Sequence, residues 1–316
     1  MTTHGYNTGG QNISGQFGMP LYGIAGFLPF GGNYFWVDET NGSDGNTGGP
    51  QDPFATLSQA HSMCQANNND VVFVTGTVHV SATLVWSKSK THLIGLAPDL
   101  KTQARARISQ TGSAVFTPLV SVTASECIFR NIGSFHGFAD ASTQICWADT
   151  GGRNEYTRCL FGGMGNATAA AQTGSRSLTI SGAGENSFTD CQIGLDTVTR
   201  SAANASLEFL AGSPRNHFKG CTLPVLTSAA GALWVTVGAD GIDRYALFDD
   251  CAFINCVESG STTLTAGIIA NASAGGAVLL QNCISLGATA IATTGPVYGV
   301  GAVPVATTSS IAIKFT

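Results

Sequence analysis

A cysteine returns along this chain at a nearly constant interval. It stands in NEYTRCLF, NSFTDCQI, NHFKGCTL, ALFDDCAF and VLLQNCIS as Cys159, Cys191, Cys221, Cys251 and Cys283, with a looser copy, SECIF, at Cys127. Successive copies lie 32, 32, 30, 30 and 32 residues apart. A period of this length marks one supersecondary unit that cannot bury its own core and must stack on its neighbours.

Each copy has an inner grammar. Three residues before the cysteine stands Tyr156, Phe188, Phe218, Phe248 or Leu280; two residues after four of them stands Phe161, Ile193, Leu223 or Phe253. Asp190, Gly220, Asp250 and Asn282 come just before the cysteine, and these types tolerate left-handed backbone. Each copy therefore reads as a strand end, a sharp bend and a new strand with its cysteine pointing inward. A further short apolar run precedes each bend: Ile145-Cys146-Trp147, Leu178-Thr179-Ile180, Leu207-Glu208-Phe209, Leu233-Trp234-Val235 and Ile268-Ile269. Several short strands per period with no helical pattern between them predict a parallel β-solenoid whose turns rise by about 4.8 Å. The cysteines, with Phe188, Phe218 and Phe248, form its interior ladder. Thiols a whole coil apart make no CxxC-type metal site, so they read as small buried apolar groups. No catalytic, cofactor or metal site is assigned.

Composition narrows the class. Charged residues are 10% of 316 and glycine numbers 40, which suits long surfaces that pack on other chains. A net charge of −5 and a pI of 5.6 leave no basic stripe for nucleic acid. Nine cysteines without paired spacing point to reduced thiols rather than a secreted disulfide scaffold. No basic-then-apolar leader opens the chain, and no apolar run is long enough to span a membrane.

Residues 1–36 carry no charged side chain. Glycine and proline break any regular pattern, yet Phe17, Met19, Leu21, Tyr22, Ile24, Phe27, Leu28 and Phe30 are too apolar for a solvated tail. Such an arm lies on something: its own solenoid, a neighbouring subunit or another protein. In residues 37–70, Asp38, Asn41, Asp44 and Asn46 fit either a hydrogen-bonded turn or a calcium loop, without EF-hand spacing. Asp52 and Pro53 are placed to start a helix. Phe54, Leu57, Ala60, His61 and Cys64 follow at helical spacing, so this helix would cap the open end of the stack.

The pattern V-D-x-x-x-G-S-D-x-N-x-G, then P-F-x-T-L-x-x-A, then Asp70-Val-Val-Phe-Val-Thr-Gly-Thr-Val resembles the opening of right-handed parallel β-helix proteins of the pectate-lyase-like superfamily. It is similar in particular to phage virion proteins, of the head-decoration or tailspike type, that open this way. The resemblance covers residues 37–290 and implies an all-β, right-handed parallel β-helix of about eight coils, some 40 Å of stack, with the helix as its cap. It also implies a homotrimer. The organisation is then an extended docking arm at 1–36, a leading loop and capping helix at 37–70, the parallel β-helix at 71–290, and a C-terminal β segment at 291–316 for subunit packing.

Chemistry-bearing clusters are few. Lys88, Lys90, Lys101, Arg105 and Arg107 form one basic cluster, read as a solvated loop face. Glycan-cleaving β-helices need carboxylates about 5–9.5 Å apart. The candidates are Asp249-Asp250, a stacked set of Glu126, Arg158 and Asp190 that also reads as a charge ladder, Asp240 and Asp243 with Arg244, and Glu155 opposite Arg153. No HxxxH, HExxH or G-x-S-x-G occurs. From Ser259 to Ile313 there is again no charge, which in a lone monomer would be an aggregation hazard. The expected protein is a non-enzymatic, cofactor-free structural component of a phage virion, assembled in the host cytoplasm. In this reading it is a trimeric decoration protein whose arm binds the major capsid protein or another virion protein, with neither nucleic acid nor membrane as partner. The alternative is a tail-associated, tailspike-like glycan binder or depolymerase.

Overall fold

The computed structural model describes residues 32–98, 105–111 and 115–300, together with the backbone of three short strands at Asn7–Thr8, Gln11–Asn12 and Ala312–Lys314. Arm residues Phe17 to Phe30 and Lys101 lie outside the described residues.

Three parallel sheets wind into a right-handed β-helix of about seven turns. Sheet 1 begins with Tyr34–Asp38 and stacks Asp70–Thr75, Thr91–Gly95, Ile128–Arg130, Glu155–Thr157, Ser187–Thr189, Asn216–Lys219, Tyr245–Asp249, Ala277–Gln281 and Val297–Val300. Ala312–Lys314 closes it antiparallel. Sheet 2 runs from Thr77–Val80 to Ile284–Leu286, and sheet 3 from Leu84–Trp86 to Ala288–Ala292, each with eight strands. Tyr34–Trp36, counted with the arm by the sequence, are part of the first strand of the stack.

The expected bends are the corners between sheets 1 and 2. Arg158, Asp190, Gly220, Asp250 and Asn282 all have φ between 51° and 62°. Each turns the chain through a left-handed residue so that the next side chain points inward. Their amides donate across the gap: Asp190 N to Lys219 O at 2.9 Å, Gly220 N to Asp249 O at 2.9 Å and Asp250 N to Gln281 O at 3.0 Å. The hydrogen-bond ladder thus continues through the corner, and no buried amide is stranded there.

Inside, one residue per coil repeats the same contact. Phe129, Tyr156, Phe188, Phe218 and Phe248 stack face to face, with ring centroids 4.9, 4.6, 4.5 and 4.6 Å apart in turn. Phe161, Ile193, Leu223 and Phe253 fill the sheet 2 side, fully buried. Leu178, Leu207, Val235 and Ile268 fill the sheet 3 side in register. The three files meet in one continuous core.

Leu57–Met63 forms a helix at the N-terminal end, with Leu57, Ala60 and His61 buried. Its N-cap is Thr56, whose hydroxyl accepts from Gln59 N at 3.1 Å, not Asp52. The Asp52 carboxylate is already engaged, accepting from Thr47 N at 2.9 Å. Lys88, expected on a solvated basic face, reaches back to the other end of the helix. Its Nζ donates to the carbonyls of His61, Ser62 and Cys64 at 2.7–2.8 Å, where a cation also suits the helix dipole.

Two substitutions test this frame by denaturant unfolding. Phe218→Ala removes one ring from the stack and costs about 3–5 kcal/mol. Asp250→Val forces a β-branched residue into left-handed backbone and costs about 1–2 kcal/mol, whereas Asp250→Gly is neutral within error.

Candidate functional surfaces

The cysteine ladder is interior. Cys159, Cys191, Cys221 and Cys251 are buried and Cys283, in the last coil, partly so; all nine cysteines are free thiols. Each ladder thiol donates to a carbonyl one coil earlier: Cys159 to Phe129 O, Cys191 to Tyr156 O, Cys221 to Phe188 O, Cys251 to Phe218 O and Cys283 to Phe248 O, at 3.4–3.5 Å. Burial pushes the Cys191 thiol well up and the buried Cys146 thiol to about 12. Thiols shut in the core and committed to backbone carbonyls are out of reach of a reaction partner, so the ladder serves packing.

Cys127 does not belong to it. Register pairs Gly133 with Leu160, which sets Ile132, not Cys127, opposite Cys159. Cys127 stands five residues earlier, at the corner leading into sheet 1. There its amide donates to Asn154 Oδ1 at 2.9 Å, the Asn154 amide to Asn186 Oδ1 at 2.8 Å, and the Asn186 amide to Asn216 Oδ1 at 3.2 Å. This buried asparagine ladder was not anticipated, although each member lies five residues before a ladder cysteine.

The residue at this corner, just before each asparagine and before Thr91 and Cys127 in the earlier coils, is also left-handed, and its charge alternates up the stack: Lys90, Glu126, Arg153, Glu185 and Arg215. Lys90 pairs with Glu126 at 3.4 Å and Arg153 with Glu185 at 2.7 Å, and Arg215 also binds Glu185. Two neighbouring arginines hold the Glu185 carboxyl below the usual carboxylate range. Glu126 therefore stacks with this set and not with Arg158 and Asp190, which approach each other to 3.9 Å at the other corner. Glu155 meets Arg130 at 3.2 Å rather than Arg153. Asp243 pairs with its neighbour Arg244. Asp240 and Asp250 are left-handed turn residues, and Asp249 is a strand residue in register with Lys219.

In the leading loop, Asp38 accepts from Thr40 N, Asn41 N and Asn41 Nδ2 at 2.9–3.1 Å. Asp44 accepts from Ala55 N, Thr56 N and Thr56 Oγ1 at 2.8–3.1 Å, and Asn46 Nδ2 donates to Pro53 O at 2.9 Å. The loop is a hydrogen-bonded turn that ties the first strand to the helix. Of the basic cluster, Lys90 is in the corner ladder and Arg107 lies over the Phe135 ring at 5.9 Å.

Two buried polar groups escaped the sequence. Asp149 is fully buried, accepting from Tyr156 Oη at 2.7 Å and Gly151 N at 2.9 Å, and burial raises its carboxyl pKa against those donors. Arg200, 1% exposed, donates to Ser206 Oγ at 2.7 Å and Leu233 O at 3.4 Å; burial lowers its guanidinium pKa to about 9. Asp149 ends the strand Ile145–Asp149, in register with the buried Val122 and Ile180, at an inward position where an acid is unexpected; nothing in its sequence context marks Arg200 as interior.

At the C-terminal end, the outer face of sheet 2 is apolar. Ile284 is 65% and Leu286 56% exposed, in register with Ala252 and Ile254 below. Among the described residues no helix is long and apolar enough to cross a membrane.

No protein-family model matches the chain, and no curated protein matches it in sequence. Solved structures do resemble it. A pectate lyase, Pel9A, is 14% identical with a TM-score of 0.55, covering 79% of this chain and 62% of that one. The pectin methylesterase PemA from Erwinia chrysanthemi is 14% identical with a TM-score of 0.53, covering 84% and 80%. ORF18 of Geobacillus virus E2 is 11% identical with a TM-score of 0.48, covering 80% and 49%. The likeness to the two pectin-acting enzymes is one of fold: the chain has the pectate-lyase-like right-handed β-helix.

Two measurements follow from the interior. Cys191→Ala costs about 1–2 kcal/mol in denaturant unfolding, and the Cys159, Cys191, Cys221 and Cys251 thiols of the native protein stay unlabelled by a thiol reagent that reacts fully after denaturation. Acid lowers stability through the buried His61, His92 and His136, whose pKa values burial depresses to about 4. With folded values below the ordinary 6.5, the unfolded chain takes up protons first. Stability therefore falls from about pH 6.5 down to about pH 4, by roughly 1–3 kcal/mol per histidine. Asp149, with its raised pKa, works in the opposite sense. Unfolding midpoints measured between pH 7 and 4 check the sum.

Proposed function

We propose that this β-helix is a structural protein of a phage virion: a homotrimer that decorates the capsid, with an uncharged N-terminal arm as its docking element and no enzymatic activity. The observation that carries the reading is the exposed apolar face at Ile284 and Leu286, within a stretch from Ser259 to Ile313 that holds no charge. Subunit packing covers such a face, and three-fold closure does so without leaving it open to further growth. The carboxylates that a glycan-cleaving centre would need support the same reading. Glu126, Glu155, Asp190 and Asp243 are each held in ion pairs, and Asp38 and Asp44 close a turn. The similarity to pectin-acting enzymes is a likeness of fold, and fold does not carry chemistry with it.

Sedimentation equilibrium tests the assembly. The expected mass is three times 32.4 kDa, and Ile284→Asp with Leu286→Asp shifts it to the monomer. Co-sedimentation with purified virus particles tests the docking. Removal of residues 1–25 leaves the far-ultraviolet spectrum of the β-helix unchanged and abolishes attachment. A monomeric native protein, or attachment that survives the truncation, would contradict the proposal.

A further inference from the structure

The outer face of sheet 1 changes character along the stack. Outward positions in one file read Trp36, Phe73 and Ile94, then Arg130, Thr157, Thr189, Lys219, Asp249 and Gln281. Beside the first three stand Tyr34 and Val71. The first strands thus carry a second apolar cluster, outside the solenoid and separate from its core: Tyr34, Val71, Phe73 and Ile94, with Trp36 and Leu96 at its margin. Trp36 and Tyr34 both lie against the Phe73 ring, at 5.1 and 6.3 Å between centroids. Val71 is 0%, Phe73 2% and Ile94 4% exposed, whereas Lys219, farther along the same file, is exposed. A sheet face this apolar is stable in water only beneath further apolar chain.

The chain itself indicates what that is. Gly32 is pressed against the turn before the second strand, where an added Cβ would stand 2.0 Å from Asn69 O. The next amide, Asn33 N, donates to the buried Asp70 carboxylate at 2.6 Å. Both contacts pin the chain at the edge of the apolar face, and Phe30 is two residues away, within about 7 Å along the backbone. Three strands side by side are only about 10 Å across, so Phe27, Leu28 and Phe30 are within reach of the whole face. Covalent attachment presents them at a high effective concentration. Residues 99–104, which follow the strand Thr91–Gly95 in the sequence, offer a single large apolar side chain, Leu100.

We propose that the outer face formed by Trp36, Val71, Phe73 and Ile94 is the seat of the chain's own residues 27–30, which divides the arm in two. The proximal part, Phe27, Leu28 and Phe30, anchors on its own solenoid. The distal part, Phe17 to Ile24, is what remains for another protein. The second half of this statement rests on the docking role proposed above; the first does not.

Tryptophan fluorescence separates the two. Trp86, Trp147 and Trp234 are fully buried in the folded protein, so acrylamide quenching of the native chain reads Trp36. Replacing Phe27, Leu28 and Phe30 together by serine raises the quenching and shifts emission to the red, while the far-ultraviolet spectrum holds. Adding Trp36→Phe to that variant removes the gain. Removal of residues 1–25 alone leaves quenching at the native level. If the triple variant folds poorly, Phe30→Ala reads the same quantity. Unchanged quenching in a folded variant overturns the proposal. So does native protection of Trp36 that disappears on dilution, because a second copy would then be the occupant. Failure of every form to bind virus particles would refute the docking role and leave the seat standing.

Discussion

The constraint on which this structure depends is register between successive coils. Strands of successive coils are joined by parallel hydrogen bonds, so side chains at one position stack on their equivalents about 4.8 Å above. Identical neighbours are then the best neighbours. Rings lie flat on rings at 4.5–4.6 Å, asparagine bonds to asparagine, and opposite charges alternate along one corner. A slip of one residue would bring Ser187 or Thr189 to the interior in place of Phe188 and turn the aromatic file toward water. The left-handed corners prevent this by fixing where each strand starts. Exposed ion pairs add little stability, yet alternation along Lys90, Glu126, Arg153, Glu185 and Arg215 opposes a coil paired out of order, where like charges would meet.

Much of this was legible because the coil repeats. The cysteine period, the aromatic three residues earlier and the left-handed types just before it reveal the solenoid, its inward file and one of its corners. What period alone could not supply was the register of an irregular coil. Cys127 lies 32 residues before Cys159, the same spacing as true copies, but the intervening coil is shorter and Ile132 takes the equivalent place. That one shift moved Glu126 from one charge ladder to the other. Asp52 looked like a helix cap by type and position, and only the fold shows its carboxylate committed to Thr47. Lys88 looked solvated until the helix end was placed beside it. Asp149 takes an inward strand position that its neighbours in the file fill with apolar residues, and Arg200 is buried where no local pattern predicts the path of the chain.

The fold and the role stand on different footing. The β-helix is shared with enzymes that act on pectin, and a solenoid of this kind can display a groove of carboxylates as readily as a flat inert face. In this chain Glu126, Glu155, Asp190 and Asp243 are held in ion pairs, Asp38 and Asp44 close a turn, Asp240 and Asp250 occupy bends, and Asp249 stands on a strand of sheet 1. The features left over are apolar and lie at the two ends: the outer face around Phe73 at one, and Ile284 with Leu286 at the other. The first is the seat proposed for the chain's own arm; the second is left for another chain to cover, which is the physical basis for reading an assembly component rather than a catalyst.

Gold labelling with an antibody to this protein, on purified virus particles from its source, tests that reading most directly. Label distributed over the particle head is the predicted result. Label confined to the tail would contradict decoration and make glycan recognition the question to pursue, and particles without label would contradict a virion role altogether.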